Sequence, residues 1–325
     1  MKIGQDKVIS LSNAVENYVK DGSSLSIGGF TINRNPMAAV YEIIRQKKQH
    51  LHVFAHSNGP GIDELIGGGC VKRLEIAYAG SGRFASTCIR FKRAVQNNTI
   101  EVEDYTNYQM SLRFLAGSMG VPFLPTRSSL GTDIINKWGF SRDMRAEAPD
   151  LPDKKLVVMD NPFDSWTGVK KLVLVPAVNP DVTIIHAQKA DSKGCTRIEG
   201  LSFADIEQAK AAKSVIVTCE DLVDSSFLKK TPDANQLPPF CVDAVVHVPF
   251  GAYPTACFNW YDYDPEFLTK YKKAASDDDL YEAYRNEYIL GTSDHEDFLK
   301  KACKGRLDAI KADPETGYAK NLKRN

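Results

Sequence analysis

A chain of 325 residues, 43% of them hydrophobic, is long enough to bury a large core in one domain or two. Its 41 basic and 41 acidic side chains cancel, so no net field draws it to nucleic acid or to a membrane surface. No run approaches the roughly 20 apolar residues of a membrane helix, and the first residues lack the apolar stretch of a signal peptide. Seven scattered cysteines with no CxxC pair exclude a zinc ribbon, and reduced thiols of a cytoplasmic protein are expected.

Leu11, Ala14, Val15 and Tyr18 fall at helical spacing and predict a helix over Ser10–Lys20, stopped by Asp21-Gly22. Ser24–Ile27 reads as a short strand running into Gly28-Gly29-Phe30. Pro36 then opens a helix over Met37–Gln46, since its missing N–H costs nothing in a first turn. The rhythm repeats: strand Leu51–Phe54, helix Ile62–Ile66, strand Leu74–Tyr78, helix Thr87–Gln96, strand Ile100–Val102, helix Gln109–Met119. Strands alternating with helices imply βαβ units, hence an α/β fold with a mostly parallel central sheet flanked by helices. A Pro-rich middle, with Val121–Pro125, Ala148-Pro149 and Asn161-Pro162, predicts irregular strands and loops. Strand-like runs resume at Leu172–Val175, Val182–His186, Val215–Cys219 and Val242–Val248, with a helix over Ala204–Lys213. From Pro265 the pattern is polar and helical. The predicted division is an α/β domain over 1–264 and a helical C-terminal tail over 265–325 packed on its edge.

Several signatures are missing. No GxxxxGK[ST] loop and no GxSxG elbow occur, and Glu64 stands where a dinucleotide fingerprint starting at Gly59-Pro60-Gly61 needs its last glycine. Tyr261-Asp262-Tyr263-Asp264 offers two acids that read as a solvated loop sooner than a metal site, so no metal is expected. Gly28-Gly29-Phe30, between strand and helix, suits close backbone approach to a ligand, and Arg34 suits a phosphate or carboxylate. A bare tight turn and a surface cation are the plain alternatives.

Gly28-Gly29-Phe30 with Arg34 and Pro36 resembles the glycine loop of A (α) subunits of family I CoA-transferases of the glutaconate type. Asp63–Gly67, Glu103-Asp104-Tyr105, Leu115 through Pro125, Asp160–Phe163, Asp181–Gln188, Val217–Glu220, Cys241–Val245 and Tyr261–Asp264 are similar to that family in order and spacing. The resemblance covers nearly the whole chain. It implies an enzyme whose B (β) subunit supplies a glutamate that attacks an acyl-CoA thioester and carries a glutamyl-CoA intermediate. CoA then passes between a dicarboxylic acyl-CoA, such as glutaconyl- or glutaryl-CoA, and a small carboxylate such as acetate. No Ser-Glu-Asn-Gly-like motif occurs here, so the nucleophile is expected on the partner chain. Coenzyme A enters as a thioester substrate, with no bound cofactor, and an (AB)2 or larger hetero-oligomer is implied.

This chain is expected to supply the opposite wall of the site. Gly28, Gly29 and Phe30 would line the acyl or CoA pocket, and Ser57-Asn58-Gly59 sits where the 3-oxoacid branch of the family has an Asn-containing turn. Asn58 is thus the candidate oxyanion-hole donor, with an Asn chosen for a left-handed turn before glycine as the equal alternative. Ser81 and Arg83 close the next strand, and Arg34 or Arg83 would hold a distal carboxylate or a CoA phosphate. His186 reads as a satisfied buried imidazole, and Cys195 departs from the Gly-Asn or Gly-Thr common in relatives. Two other readings stand: a C–C hydrolase or decarboxylase on the same A/B scaffold, with Glu103 or Asp104 as acid–base group, and a non-catalytic acyl-CoA or effector-binding domain.

Overall fold

The computed structural model describes residues 5–320 and 322. Helix α1 (Leu11–Tyr18) starts where the Ser10 hydroxyl accepts the Asn13 N–H at 3.2 Å, an N-cap that satisfies one orphan donor. β1 (Ser24–Ile27), α2 (Met37–Arg45), β2 (Leu51–Asn58), α3 (Pro60–Gly67), β3 (Val71–Ala79), α4 (Ile89–Gln96), β4 (Glu101–Asp104) and α5 (Asn107–Met119) follow in the predicted alternation. β2 runs four residues past its apolar stretch because Ser57 and Asn58, although polar, are fully buried. α5 starts ahead of its apolar pattern because Thr106 and Gln109 form a reciprocal capping box.

The Pro-rich middle is more ordered than expected. It contributes β5 (Phe123–Thr126), α6 (Arg142–Glu147), β6 (Val157–Asp160), α7 (Asp164–Thr167) and β7 (Lys171–Pro176). The three strands pair antiparallel in the order β5–β7–β6 as a separate small sheet. The chain re-enters the main sheet as β8 (Val182–Asp191), then forms β9 (Thr196–Arg197), α8 (Asp205–Ala211), β10 (Ser214–Val223), α9 (Ser225–Lys229) and β11 (Ala244–His247).

The main sheet has the order β11–β10–β8–β1–β2–β3–β4, with every neighbouring pair parallel and β9 added antiparallel to β8. Leu25 in β1 pairs with Val53 on one side and Val182 on the other, and all three are fully buried. Such all-round burial is what a parallel sheet covered on both faces requires. The order also fixes where a ligand belongs. From β1 the chain winds outward through β2, β3 and β4, then returns to β8 and winds the other way. The switch point therefore lies between β1 and β8, and ligands of open α/β sheets sit outside the carboxyl ends of the strands at that point.

The tail forms α10 (Pro265–Ala275), α11 (Asp278–Tyr284), a π-turn over Arg285–Leu290, α12 (His295–Cys303) and α13 (Leu307–Ile310). Phe267, Tyr271, Tyr281, Tyr284 and Phe298 share one buried cluster with Met37, Tyr41 and Ile43 of α2. Polar ties add to this packing: Tyr271 donates to Asp63 at 2.7 Å, and Tyr284 and Tyr281 donate to the two oxygens of Glu64 at 2.6 and 3.0 Å. Asp262 and Asp264 are no solvated loop. Both are 2% exposed, Asp264 caps α10 and accepts from Tyr253, and Asp262 accepts from the Ala319 N–H. Among the described residues no helix is long and apolar enough to cross a membrane.

Glu64 gives the tail a pH signature. Burial pushes its carboxyl up from 4.5 to about 8, against the two tyrosine hydrogen bonds that lower it. Between those values the folded chain keeps a proton that the unfolded chain releases, so this contribution is fully present below pH 4.5 and lost as pH rises to about 8. Glu64→Gln keeps the volume and removes the titration. Urea unfolding across that window should fall less steeply for the variant, and parallel curves would show that Glu64 is ionised in the folded state.

Candidate active site at the carboxyl edge of the sheet

The loop after β1 lies at the switch point, but its amides are not free. Gly28 N–H donates to Ile184 O at 2.9 Å, Gly29 to Asp205 Oδ1 at 2.9 Å, Phe30 to Asn33 O at 2.8 Å and Thr31 to Ser57 O at 3.2 Å. The glycines serve a different need. A Cβ on Gly28 would stand 2.9 Å from the Asp205 carboxylate, and Gly29 has φ +86° with the Arg34 carbonyl 2.7 Å from where its Cβ would be. The sequence demands glycine here because a buried carboxylate passes directly under the loop.

That carboxylate decides the role of Arg34, which does not reach outward as the sequence suggested. Arg34 is 2% exposed, and its guanidinium donates to Asp205 Oδ2 at 2.8 Å, His186 O at 2.9 Å and Leu201 O at 3.0 Å. Burial pushes the Asp205 carboxyl up, with Arg34 and the Gly29 N–H opposing it. Arg34 and Asp205 clamp the glycine loop to β8 and α8.

Asn58, at the end of β2, is fully buried. Its Nδ2 donates to Gly28 O at 3.0 Å and its Oδ1 accepts from the Ile62 N–H at 3.0 Å, tying the glycine loop to the first turn of α3. A side-chain amide carries a second hydrogen, and on Asn58 that one takes part in no hydrogen bond among the described residues. Ser57 Oγ donates to Asn107 Oδ1 at 2.5 Å, which joins β2 to the start of α5. A Cβ on Gly59 would lie 2.6 Å from Thr31 O and 3.1 Å from Ser81 Oγ, so the exits of β1, β2 and β3 converge here. Ser81 itself is buried with its hydroxyl 3.6 Å from the Cys88 sulfur. Arg83 is exposed and lies over the rings of Phe84 and Tyr263. Of the two candidate arginines, only Arg83 has a guanidinium facing solvent.

Phe30 is half-buried, stacked on Phe203 at 4.9 Å and tilted to His56 at 5.9 Å. Beside them a cavity of about 170 Å³ is walled by Arg34, Phe203, Phe258, Tyr263 and Tyr318. Its apolar lining and its place beside the glycine loop suit an acyl chain. A larger cavity of about 670 Å³ opens at the other edge of the sheet, by Ser24, His52 and Arg73, away from these loops.

His56 was not legible as a site residue. Burial holds its imidazole below its ordinary value, and its Nδ1 is buried without a hydrogen-bond partner. Only its place one residue ahead of Ser57-Asn58 could have signalled it. His186 is the satisfied imidazole expected: Nδ1 meets Thr218 at 2.8 Å and Nε2 meets Glu220 at 2.6 Å. Glu220 also accepts from Tyr261 at 2.5 Å and from the Phe250 N–H at 2.7 Å. Cys257 completes a trio of donor atoms within 4.8 Å, yet His186 and Glu220 already satisfy one another, which describes a polar core more than an ion cage. Glu103 and Asp104 are also held. Glu103 is buried against Arg145, Lys155 and the Gly139 N–H, and Asp104 pairs with Lys155 at 2.9 Å.

A doubly wound parallel sheet thus carries a clamped glycine loop, an amide-bearing turn and an apolar pocket near its switch point. The chain belongs to the coenzyme A transferase family, whose profile matches residues 8–248. It is 36% identical to the A-type half of glutaconate CoA-transferase from Acidaminococcus fermentans, over 96% of this chain and 97% of the relative. The crystal structure of that enzyme superposes with TM-score 0.93 over 98% of this chain and all of that one. The A-type half of 3-oxoadipate CoA-transferase from Pseudomonas knackmussii is 34% identical over 92% of this chain and 99% of its own. The decarboxylase AibA/AibB superposes with TM-score 0.68 at 33% identity, over 87% of this chain and all of that one. Sequence and fold alike place this chain with the A-type halves of two-subunit CoA-transferases.

Proposed function

We propose that this chain is the A half of a CoA-transferase that exchanges CoA between a dicarboxylic acyl-CoA, such as glutaconyl- or glutaryl-CoA, and acetate or a similar small carboxylate. The observation that carries the reading is an acyl-sized pocket whose two lining carboxylates are already engaged, Glu199 by Lys189 and the Asn259 amide and Asp262 by the Ala319 N–H, with Asp205 under the adjoining loop held by Arg34. A wall of this kind holds and polarises a thioester but brings no free nucleophile. The B-type partner's glutamate attacks the acyl carbonyl, the CoA thiolate leaves, and a mixed anhydride forms. The thiolate then attacks the glutamyl carbonyl and releases the first carboxylate, and the acceptor carboxylate takes its place in the reverse sequence.

In this scheme the second Nδ2 hydrogen of Asn58 is the donor to the tetrahedral oxyanion, fixed in direction by its bonds to Gly28 and Ile62. Phe30 and Phe203 flank the acyl chain, and Arg83 meets the anionic end of the substrate or of CoA. The test is incubation of the co-expressed pair with glutaryl-CoA and labelled acetate. Labelled acetyl-CoA should form only when both chains are present. Thioester loss or carbon dioxide release without acetyl-CoA would overturn the transfer reading.

A further inference from the structure

The family profile ends at residue 248, yet much of the acyl pocket is built beyond it. Phe258 and Tyr263 supply one side, and Gly317 and Tyr318 reach it from the end of the helical tail. The tail arrives by a short ladder: the Asp262 N–H donates to Ile310 O at 2.8 Å and the Ala312 N–H to Trp260 O at 3.0 Å. Asp313 then closes a turn. Its carbonyl accepts the Gly317 N–H at 2.8 Å, and its own N–H donates to Tyr318 O at 2.8 Å. Two further bonds pin this turn across the pocket, from the Asn259 N–H to Gly317 O at 3.2 Å and from the Ala319 N–H to Asp262 Oδ2 at 2.9 Å. Residues 313–320 are thus a strap fixed at both sides of the cavity.

Phe258 is where the strap meets the rest of the wall. A Cβ on Gly200 would lie 2.8 Å from its ring and one on Gly317 2.5 Å, and both glycines have positive φ, +79° and +73°. Tyr318 meets the same ring edge-on at 5.2 Å between centroids. The Phe258 ring is therefore held between the segment that carries Phe203 and the strap. The anion-facing side of the pocket adjoins the strap as well. Arg83 lies over the Tyr263 ring at 5.5 Å, and Leu322 packs into the cluster of Phe84 and Tyr263.

Most of the lining cannot vary without breaking something else. Arg34 is locked by Asp205, Phe203 is stacked on Phe30, and Phe258 is fixed between two glycines. Tyr318 differs. The bonds that hold the turn come from its backbone, while its side chain lines the cavity and is 49% exposed, which puts it at the mouth. We propose that the strap closes the acyl pocket and that the Tyr318 side chain selects the donor by acyl-chain length, admitting short dicarboxylic acyl groups and hindering longer ones. This rests on the proposed transfer function and adds the element that chooses its substrate. Because the strap lies outside the shared profile, chains with the same sheet and glycine loop can differ in donor by differing here.

The test uses the full-length chain with its B-type partner and acetate. kcat/KM is measured for glutaryl-CoA and for adipyl-CoA, one methylene longer, in wild type, Tyr318→Ala and Tyr318→Trp. One methylene in an apolar pocket is worth about 10–200-fold in discrimination. Tyr318→Ala should therefore raise the adipyl-to-glutaryl ratio at least about tenfold, and Tyr318→Trp should lower it. Both constants come from the same preparation, so loss of folded protein cancels in the ratio, and general damage does not move it in opposite directions. A wild-type ratio in Tyr318→Ala, or a shift of the same sign in both variants, would overturn this inference and leave transfer standing. Absence of transfer from either donor by the wild-type pair would overturn both.

Discussion

Asp205→Ala should cost about 3–5 kcal/mol in urea unfolding, the range found when one member of a buried ion pair is removed. The loss has two parts. Arg34 keeps its charge at a site only 2% exposed, and the Gly29 N–H loses its acceptor. The double variant Arg34→Met/Asp205→Leu separates stability from function. It removes both charges, so much of the stability should return, because the pair's desolvation penalty disappears with it. Transfer activity should not return, since the glycine loop still lacks its tie to α8 and Asn58 then holds a loosened partner. A double variant with full activity would show that the clamp matters only for folding.

The second large effect concerns the nucleophile. On this account no carboxylate of this chain forms a covalent bond to substrate, and every turnover passes through a glutamate of the other subunit. This chain alone should therefore be inert toward acyl-CoA. Removing the partner's glutamate should remove transfer almost completely, as removal of a covalent nucleophile does elsewhere.

The alternation of strand and helix was legible where burial is complete. α2 follows a run that is apolar almost without interruption, β1 alternates serine with leucine and isoleucine, and the bounds of both are placed to within a residue. The small sheet was not legible as a sheet. Two of its strands have four residues, and β7, the last in sequence, lies between the other two. Pairing of that kind is set by tertiary packing on α5 and leaves no periodicity to read. The same limit applies to the tail, where the tyrosines that bind Asp63 and Glu64 are more than 200 residues away in sequence.

At the site, the glycine loop and Asn58 each follow a strand as the sequence suggested, and the hydrogen bond that joins them at the switch point is seen only in the fold. The meaning of Arg34 was not, because its partner Asp205 is 171 residues away and a lone sequence cannot show which cations are neutralised inside. Phe203 was hidden for the same reason, since it meets Phe30 only in three dimensions. His56 carries no local signal beyond its place in a strand end.

The most direct measurement is the location of the covalent intermediate. The assembled pair is incubated with acyl-CoA and no acceptor, the thioester adduct is stabilised by quenching, and both chains are mapped by peptide mass spectrometry. The account predicts a CoA thioester on one glutamate of the B-type partner and none on any peptide of this chain. An adduct on a carboxylate of this chain, such as Asp104, or thioester loss with no adduct on either chain, would contradict it.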